Sequence, residues 1–245
     1  MNFRYSTILI AFLGIVFSNP DRAHFLDLSY TIDCSVDRID DDYSMHGKNT
    51  VTVTNRWVEP IGELYFQLIP NSNDHENGLI IESVQATRQI KVSGKETSSL
   101  RLGLFPALKP GEQMIIDIQF KTPISALADS DHPLVYKDND KVVILAQHFY
   151  PAMECFHEDG WQVEHHGASF GHPKSVGDYT ISITVPEELT VVSSVPDDGV
   201  EQVPIRRRRY EYKATDLIDF VFVASTEKGV VNTEIAGSSI IYYTN

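Results

Sequence analysis

Val142–Val143–Ile144–Leu145–Ala146 and Gly177–Asp178–Tyr179–Thr180–Ile181–Ser182–Ile183–Thr184–Val185–Pro186 are the two runs on which the reading of this sequence turns. Both are rich in β-branched and apolar residues, and the second alternates with a period of two, as a strand with one buried face does. Between them lies a polar, aromatic, irregular stretch. It begins Gln147–His148–Phe149–Tyr150–Pro151 and carries Cys155, Trp161 and most of the histidines. Loops held by a rigid sheet are where binding groups usually sit. The stretch Lys141–Pro186 is therefore the expected working face.

The same period recurs on either side. Leu28 to Val36 alternates, with Tyr30, Ile32, Cys34 and Val36 on one face, and Thr50 to Trp57 reads as its hairpin partner across an acidic turn, Asp37 to Asp42. That turn lacks the spaced oxygen ligands and closing Glu of a calcium loop. Leu64 to Pro70, Ile80 to Val92, Leu100 to Leu104 and Met114 to Phe120 follow, the last after a Pro106–Glu112 turn. Beyond the central stretch come strands at Leu189–Val192, Arg207–Lys213, Leu217–Ala224, Val230–Ile235 and Ile240–Tyr243, with a turn at Pro196–Gly199. Short strands separated by turn signals, with no sustained helical stripe, predict an all-β fold: an antiparallel β-sandwich or open barrel.

Bulk properties narrow the function. The 245 residues, 42% of them hydrophobic, are enough for one large β domain or two smaller ones. With 20 basic and 34 acidic side chains the formal charge is -14, which repels phosphate backbones and anionic membranes and argues against nucleic-acid partners. The run Arg206–Arg209 is expected to be a strand whose side chains alternate between faces and pair with acids. Residues 1–18 read as an export signal: Arg4 supplies charge, Ile8 to Phe17 is apolar, and Val16–Phe17–Ser18 offers a cleavage site before Asn19, with an uncleaved anchor as the alternative. This places residues 19–245 outside the cytoplasm, secreted or periplasmic. There, Cys34 and Cys155 are either joined as a disulfide or buried as thiols.

The chemistry on offer is sparse. His148, His157, Glu158, Asp159, His165, His166 and His172 are the one concentration of metal-ligand types, yet no His–Glu–x–x–His pattern occurs, and no intrinsic metal site or other cofactor is expected. No Gly-x-Ser-x-Gly elbow or phosphate-cradling glycine loop appears. Cys155 beside His157 does not by spacing alone make a nucleophile and base.

Several segments carry a resemblance. Glu63–Leu64–Tyr65–Phe66–Gln67–Leu68–Ile69–Pro70–Asn71, Leu108–Lys109–Pro110–Gly111–Glu112 running to Phe120, Phe149–Tyr150–Pro151 with Asp159–Gly160–Trp161, Gly177–Asp178–Tyr179 to Pro186, and Asp219–Phe220 occur in this order. Together they resemble the amino-terminal domain of aminopeptidase N-like zinc metallopeptidases, whose relatives include leukotriene hydrolase, in their secreted bacterial-type branch. The resemblance implies a saddle-shaped β domain at residues 19–245 that packs on a thermolysin-like catalytic domain and borders the groove for a peptide substrate. The family's Gly-x-Met-Glu-Asn and His–Glu–x–x–His motifs do not occur here, so the Zn²⁺ of the family is expected on a catalytic domain absent from this chain. By the resemblance, Gln147 and, in a neighbouring register, His148 are the candidate substrate-binding residues, holding the free α-amino group. No residue of this chain is expected to be catalytic. A face for the catalytic domain is expected at Phe149, Tyr150, Phe170 and Ile240–Tyr243. A stand-alone extracytoplasmic β-sandwich that binds or scaffolds other proteins is the alternative.

Overall fold

The structure, a computed structural model, describes residues 9–10, 25–39, 42–71, 78–124, 134–138, 141–163, 175–226, 230–235 and 238–243. Of the predicted export signal, all but Leu9 and Ile10 lie outside these residues. So do Asp40, Asp41, His165, His166, Phe170 and His172.

In chain order the first strands are β1 (Leu9–Ile10), β2 (Leu26–Ile39), β3 (Asp42–Asn55), β4 (Ile61–Gln67), β5 (Ile80–Ala86), β6 (Gln89–Ser93), β7 (Ser99–Leu108) and β8 (Gln113–Ile124). Next are β9 (Leu134–Asp138), β10 (Lys141–Ala146), β11 (Ala152–Met153), β12 (Phe156–His157), β13 (Gly160–Trp161) and β14 (Gly177–Pro186). The last are β15 (Thr190–Ser193), β16 (Asp197–Val203), β17 (Arg207–Leu217), β18 (Phe222–Ser225), β19 (Val230–Ile235) and β20 (Ser238–Tyr243). Among the described residues the only helical element is a 3₁₀ turn at Ile69–Asn71, where Pro70 stops the preceding strand from continuing. No helix among them is long and apolar enough to cross a membrane.

A seven-stranded sheet in the order β16-β17-β14-β2-β3-β8-β5 forms the base. Two four-stranded sheets, β11-β4-β7-β6 and β15-β18-β10-β9, share one buried apolar cluster with it, and among the described residues no sheet closes into a barrel. The predicted sandwich is therefore observed. Its pairings are antiparallel except β14 with β2, which run parallel from Asp178↔Ser29 to Thr184↔Ser35.

The period-of-two reading locates the core. Tyr30, Ile32, Cys34 and Val36 of β2 are at most 1% exposed, and Met114, Ile116, Ile118 and Phe120 of β8 lie beside them across the sheet. On β14 the inward set is Tyr179, Ile181, Ile183 and Val185. Burying such side chains contributes about 1.5–3 kcal/mol each, which is why alternation fixes strand facing and register here.

Four local expectations need correction. The hairpin of β2 and β3 pairs from Leu26↔Asn55 to Ile39↔Asp42, so Asp37 and Asp42 are strand residues and the acidic turn is shorter than the charge pattern suggested. The segment Ile80–Val92 is two strands in two sheets, because the chain turns at Thr87–Arg88 to leave the large sheet. Asp197–Gly199 is the irregular start of edge strand β16 rather than a turn; the register shifts there, as at a bulge. Leu217–Ala224 is also divided. Asp216 adopts a left-handed φ of 53°, and Ile218 to Val221 carry the chain from the large sheet to the β10 sheet.

The basic run behaves as expected of alternating faces. Arg207 donates to Asp37 at 2.6 Å and Arg209 lies 3.3 Å from Glu211, while Arg206, at a turn, reaches Glu187 at 2.6 Å. Arg208 shares the inward face with Tyr210 and Tyr212.

Gly47 is paired across the sheet with Cys34, and a Cβ there would lie 2.7 Å from the carbonyl oxygen of Asp33 and 2.8 Å from the Cβ of Cys34. Gly47→Ala is therefore expected to cost about 1–3 kcal/mol, the range for forcing extra atoms into a packed site. The check is the urea midpoint; an unchanged midpoint would show that the two strands can part without loss.

Candidate functional site

The site is built where β10 ends. After Ala146 the chain passes Gln147 and His148, both half-buried, and His148 adopts a φ of 51°. Histidine is among the few non-glycine types that enter this left-handed region at modest cost. The turn sends the following residues inward. Phe149 and Tyr150 are 0% and 2% exposed, so neither forms part of an exposed face. That corrects the expectation drawn from their aromatic character. The Phe149 ring packs edge-on against Phe222 at 5.3 Å and against Tyr150 at 4.9 Å, inside the domain's own core.

Polar groups of the large sheet hold this segment down. Thr122 of β8 donates its hydroxyl to the carbonyl of Phe149 at 2.8 Å, and Asn49 of β3 donates its amide to the carbonyl of Pro151 at 2.7 Å. Tyr30 of β2 accepts the Met153 N–H at 3.1 Å. Further along, the wholly buried Glu154 accepts from the side-chain amide of Gln67 at 2.7 Å, and its own carbonyl accepts from Ser175. Buried polar groups left without such partners would each cost about 1–3 kcal/mol. The loop is thereby fixed to the large sheet at three points and to β4 at a fourth.

Tyr150 is the centre of the arrangement. Its hydroxyl donates to Asp219 Oδ1 at 2.8 Å and accepts the Phe220 N–H at 3.3 Å, and the hydroxyl of Tyr179 lies 3.3 Å away. Tyr179 in turn stacks on Tyr30, ring centroids 4.5 Å apart. The other carboxylate oxygen of Asp219 stands 3.7 Å from Nδ1 of His148. One acid thus ties the buried tyrosines to the half-buried imidazole at the rim. Burial, above all, pushes the tyrosine hydroxyls well above their ordinary titration range; the Asp219 charge adds to it for Tyr150, and Tyr30 does so for Tyr179.

The structure keeps the two predicted substrate residues, Gln147 and His148, side by side at this rim. Among the described residues it does not gather histidines of the central stretch into a ligand set: His157 sits on the hairpin of β12 and β13, with its Nε2 3.1 Å from the Cys155 sulfur. Nor are Cys34 and Cys155 joined; both are thiols, Cys34 in the core of β2 and Cys155 half-buried. Among the described residues no three His, Cys, Asp or Glu side chains converge to hold a metal ion, so these residues do not fit the zinc of the resembling family. A cleft of about 690 Å³ opens near the other end of β10, lined by Arg38, Tyr43, Val142, Glu187 and Arg208 among others. Its mixed charge and its place away from Gln147 set it apart from the rim.

Sequence reasoning missed Asp219 as a working residue, together with Tyr30, Tyr179, Asn49 and Thr122. The alternation had already placed Tyr30 and Tyr179 on inward faces, and an inward tyrosine needs a partner for its hydroxyl. That was the available signal.

The arrangement as a whole can now be set beside solved structures. The M1 zinc metallopeptidase of Deinococcus radiodurans superposes with a TM-score of 0.56 at 14% identity, over 89% of this chain and 46% of that one. The fold is that of one part of the M1 zinc metallopeptidases. A mutant of the Deinococcus enzyme bound to a Tyr-Ser-Ala substrate gives a TM-score of 0.54 at 14% identity, covering 89% and 46%. A two-domain M1 zinc metallopeptidase mutant bound to L-tryptophan gives 0.54 at 14%, covering 88% and 46%. At this identity the likeness to M1 enzymes is a likeness of fold, and the chain spans less than half their length. No protein-family model matches the sequence, and no curated protein matches it.

The buried tyrosines generate a pH prediction. Tyr30, Tyr150, Tyr179 and Tyr212 are all raised, chiefly by burial, so in the folded protein they stay neutral where unfolded tyrosines ionise, near pH 10. Their stabilisation is complete below that pH and is lost as pH rises above it, at up to about 1.4 kcal/mol per pH unit for each. Urea unfolding across alkaline pH is expected to show this steep fall, and Tyr150→Phe to make it shallower. Ionisation of these four tyrosines in the folded protein without loss of stability, read as tyrosinate absorbance that their Phe variants lack, would contradict the assignment.

Proposed function

We propose that this chain is the β module that borders the substrate groove of a zinc metallo-aminopeptidase, an enzyme hydrolysing peptides from the amino terminus. The observation that carries the reading is the coverage: 89% of this chain is accounted for by 46% of an M1 zinc metallopeptidase. In this reading the partner is a thermolysin-like catalytic domain, in the same or an adjoining polypeptide, and the export signal puts both outside the cytoplasm. The metal belongs to that catalytic domain. This chain's own contribution is to shape and orient.

Gln147 is proposed to offer its neutral amide oxygen to the ammonium of a peptide's first residue, an acceptor that needs no counter-charge. His148, steadied by Asp219 at 3.7 Å, is proposed to line the same position. The anchored segment from Phe149 to Glu154 supports both, because a rim fixed at several points can present an acceptor without first being ordered.

The test has two arms. The purified chain alone is expected to cleave no aminoacyl-arylamide and to bind no stoichiometric zinc. Joined to a catalytic domain bearing His–Glu–x–x–His, it is expected to support turnover that Gln147→Ala lowers about ten- to a hundredfold in kcat/KM, the worth of one hydrogen bond to a charged group. Metal-dependent turnover by the chain alone would overturn the module reading, and an unchanged kcat/KM in the joined protein would remove Gln147 from it.

A further inference from the structure

The hairpin of β12 and β13 carries chemistry that the proposed function does not use. Phe156 pairs with Trp161 and His157 with Gly160, leaving Glu158 and Asp159 as the two-residue turn; Gly160 takes a φ of 104°, open to glycine and strained for other residues. Gln162 N–H donates to the Cys155 carbonyl at 3.0 Å and extends the ladder by one step. Phe156 packs against Trp161 at 4.8 Å and edge-on to Phe25 and Trp57 at 6.3 Å each, which pins that face of the strand to the core. Successive side chains alternate between faces, so Cys155 and His157 share the face opposite Phe156. They meet there: Sγ lies 3.1 Å from Nε2, and both residues are half-buried.

A thiol within hydrogen-bond reach of an imidazole is the arrangement that activates a cysteine for attack. The second cysteine supplies a contrast within the same molecule. Cys34 is 1% exposed on the inward face of β2, and burial, then Asp33, push its thiol far up out of the reactive range.

We propose that Cys155 and His157 form a reactive thiol–imidazole pair, a modification site at which Cys155 exchanges with small disulfides to give a mixed disulfide. In the step, His157 Nε2 takes the thiol proton as Sγ attacks one sulfur of the disulfide. A new S–S bond forms to that sulfur, the old one breaks, and the departing thiolate takes up the proton. Cys155 is oxidised and the small disulfide is reduced to one thiol, so atoms and electrons balance. The acidic turn at Glu158 and Asp159 favours neutral or cationic disulfides over anionic ones.

The probe is a neutral dipyridyl disulfide, mixed with the folded chain near neutral pH while release of its chromophoric thione is followed. One equivalent is expected to react, with the adduct mapping to Cys155 by mass spectrometry and Cys34 reacting only after denaturation. The rate is expected to exceed that of N-acetylcysteine by about fivefold or more, since an ordinary thiol is only a few per cent thiolate at that pH. His157→Gln is expected to slow Cys155 about tenfold, the lower side of what a positioned base contributes. Silent Cys34 in the same sample certifies that the variant is folded; if Cys34 reacts in the variant, the wild-type comparison with N-acetylcysteine decides alone. A wild-type rate at or below that of N-acetylcysteine, modification of Cys34 in the folded wild type, or an unchanged rate in folded His157→Gln would each overturn the proposal.

Discussion

Tyr150 places a hydroxyl where water does not reach, and the rest of the site follows from what that hydroxyl needs. A buried O–H without partners would cost about 1–3 kcal/mol, so its bonds to Asp219 and the Phe220 amide are a condition of the fold. Those two partners belong to the crossing between the seven-stranded sheet and the β10 sheet, while Tyr150 belongs to the loop after β10. One side chain therefore ties a loop to a crossing, and Tyr179 and Tyr30 connect both to the parallel pair of strands beneath. The rim residues Gln147 and His148 are positioned by this arrangement without being part of the core.

The strand set was legible because the hydrophobic residues of β2, β8 and β14 recur every second position, and burial of one face leaves a single facing for each strand. Pairing partners were less legible. The parallel contact between β14 and β2 joins residues about 150 positions apart, and nothing local to either strand specifies it. Boundaries failed where the chain changes sheets, at Thr87–Arg88 and at Ile218–Val221, since a crossing is set by what lies on the other side of the core. Phe149 and Tyr150 misled for a related reason: an aromatic pair at a strand end reads equally well as an interface or as a plug. The left-handed turn at His148, which periodicity does not reveal, decides for the plug.

The candidate site was half visible. Gln147 and His148 were named from a resemblance; the structure shows both half-buried after β10, with His148 Nδ1 3.7 Å from Asp219. Asp219 was quoted as part of a motif but had no role until its two oxygens were seen to face Tyr150 and His148. Conversely, spacing alone did not reveal that Cys155 and His157 meet, which they do because a two-residue turn fixes the strand that carries them.

Amide hydrogen exchange at Met153 and Phe220 tests the tyrosine clamp most directly, because these two N–H groups donate to the buried hydroxyls of Tyr30 and Tyr150. If the clamp holds the loop and the crossing to the core, both amides exchange as slowly as those at the centre of β2 and β14, through opening of the whole domain. Exchange at the rate of the surface turns, with the sheet itself protected, would show that the loop opens independently and that the clamp does not position the site.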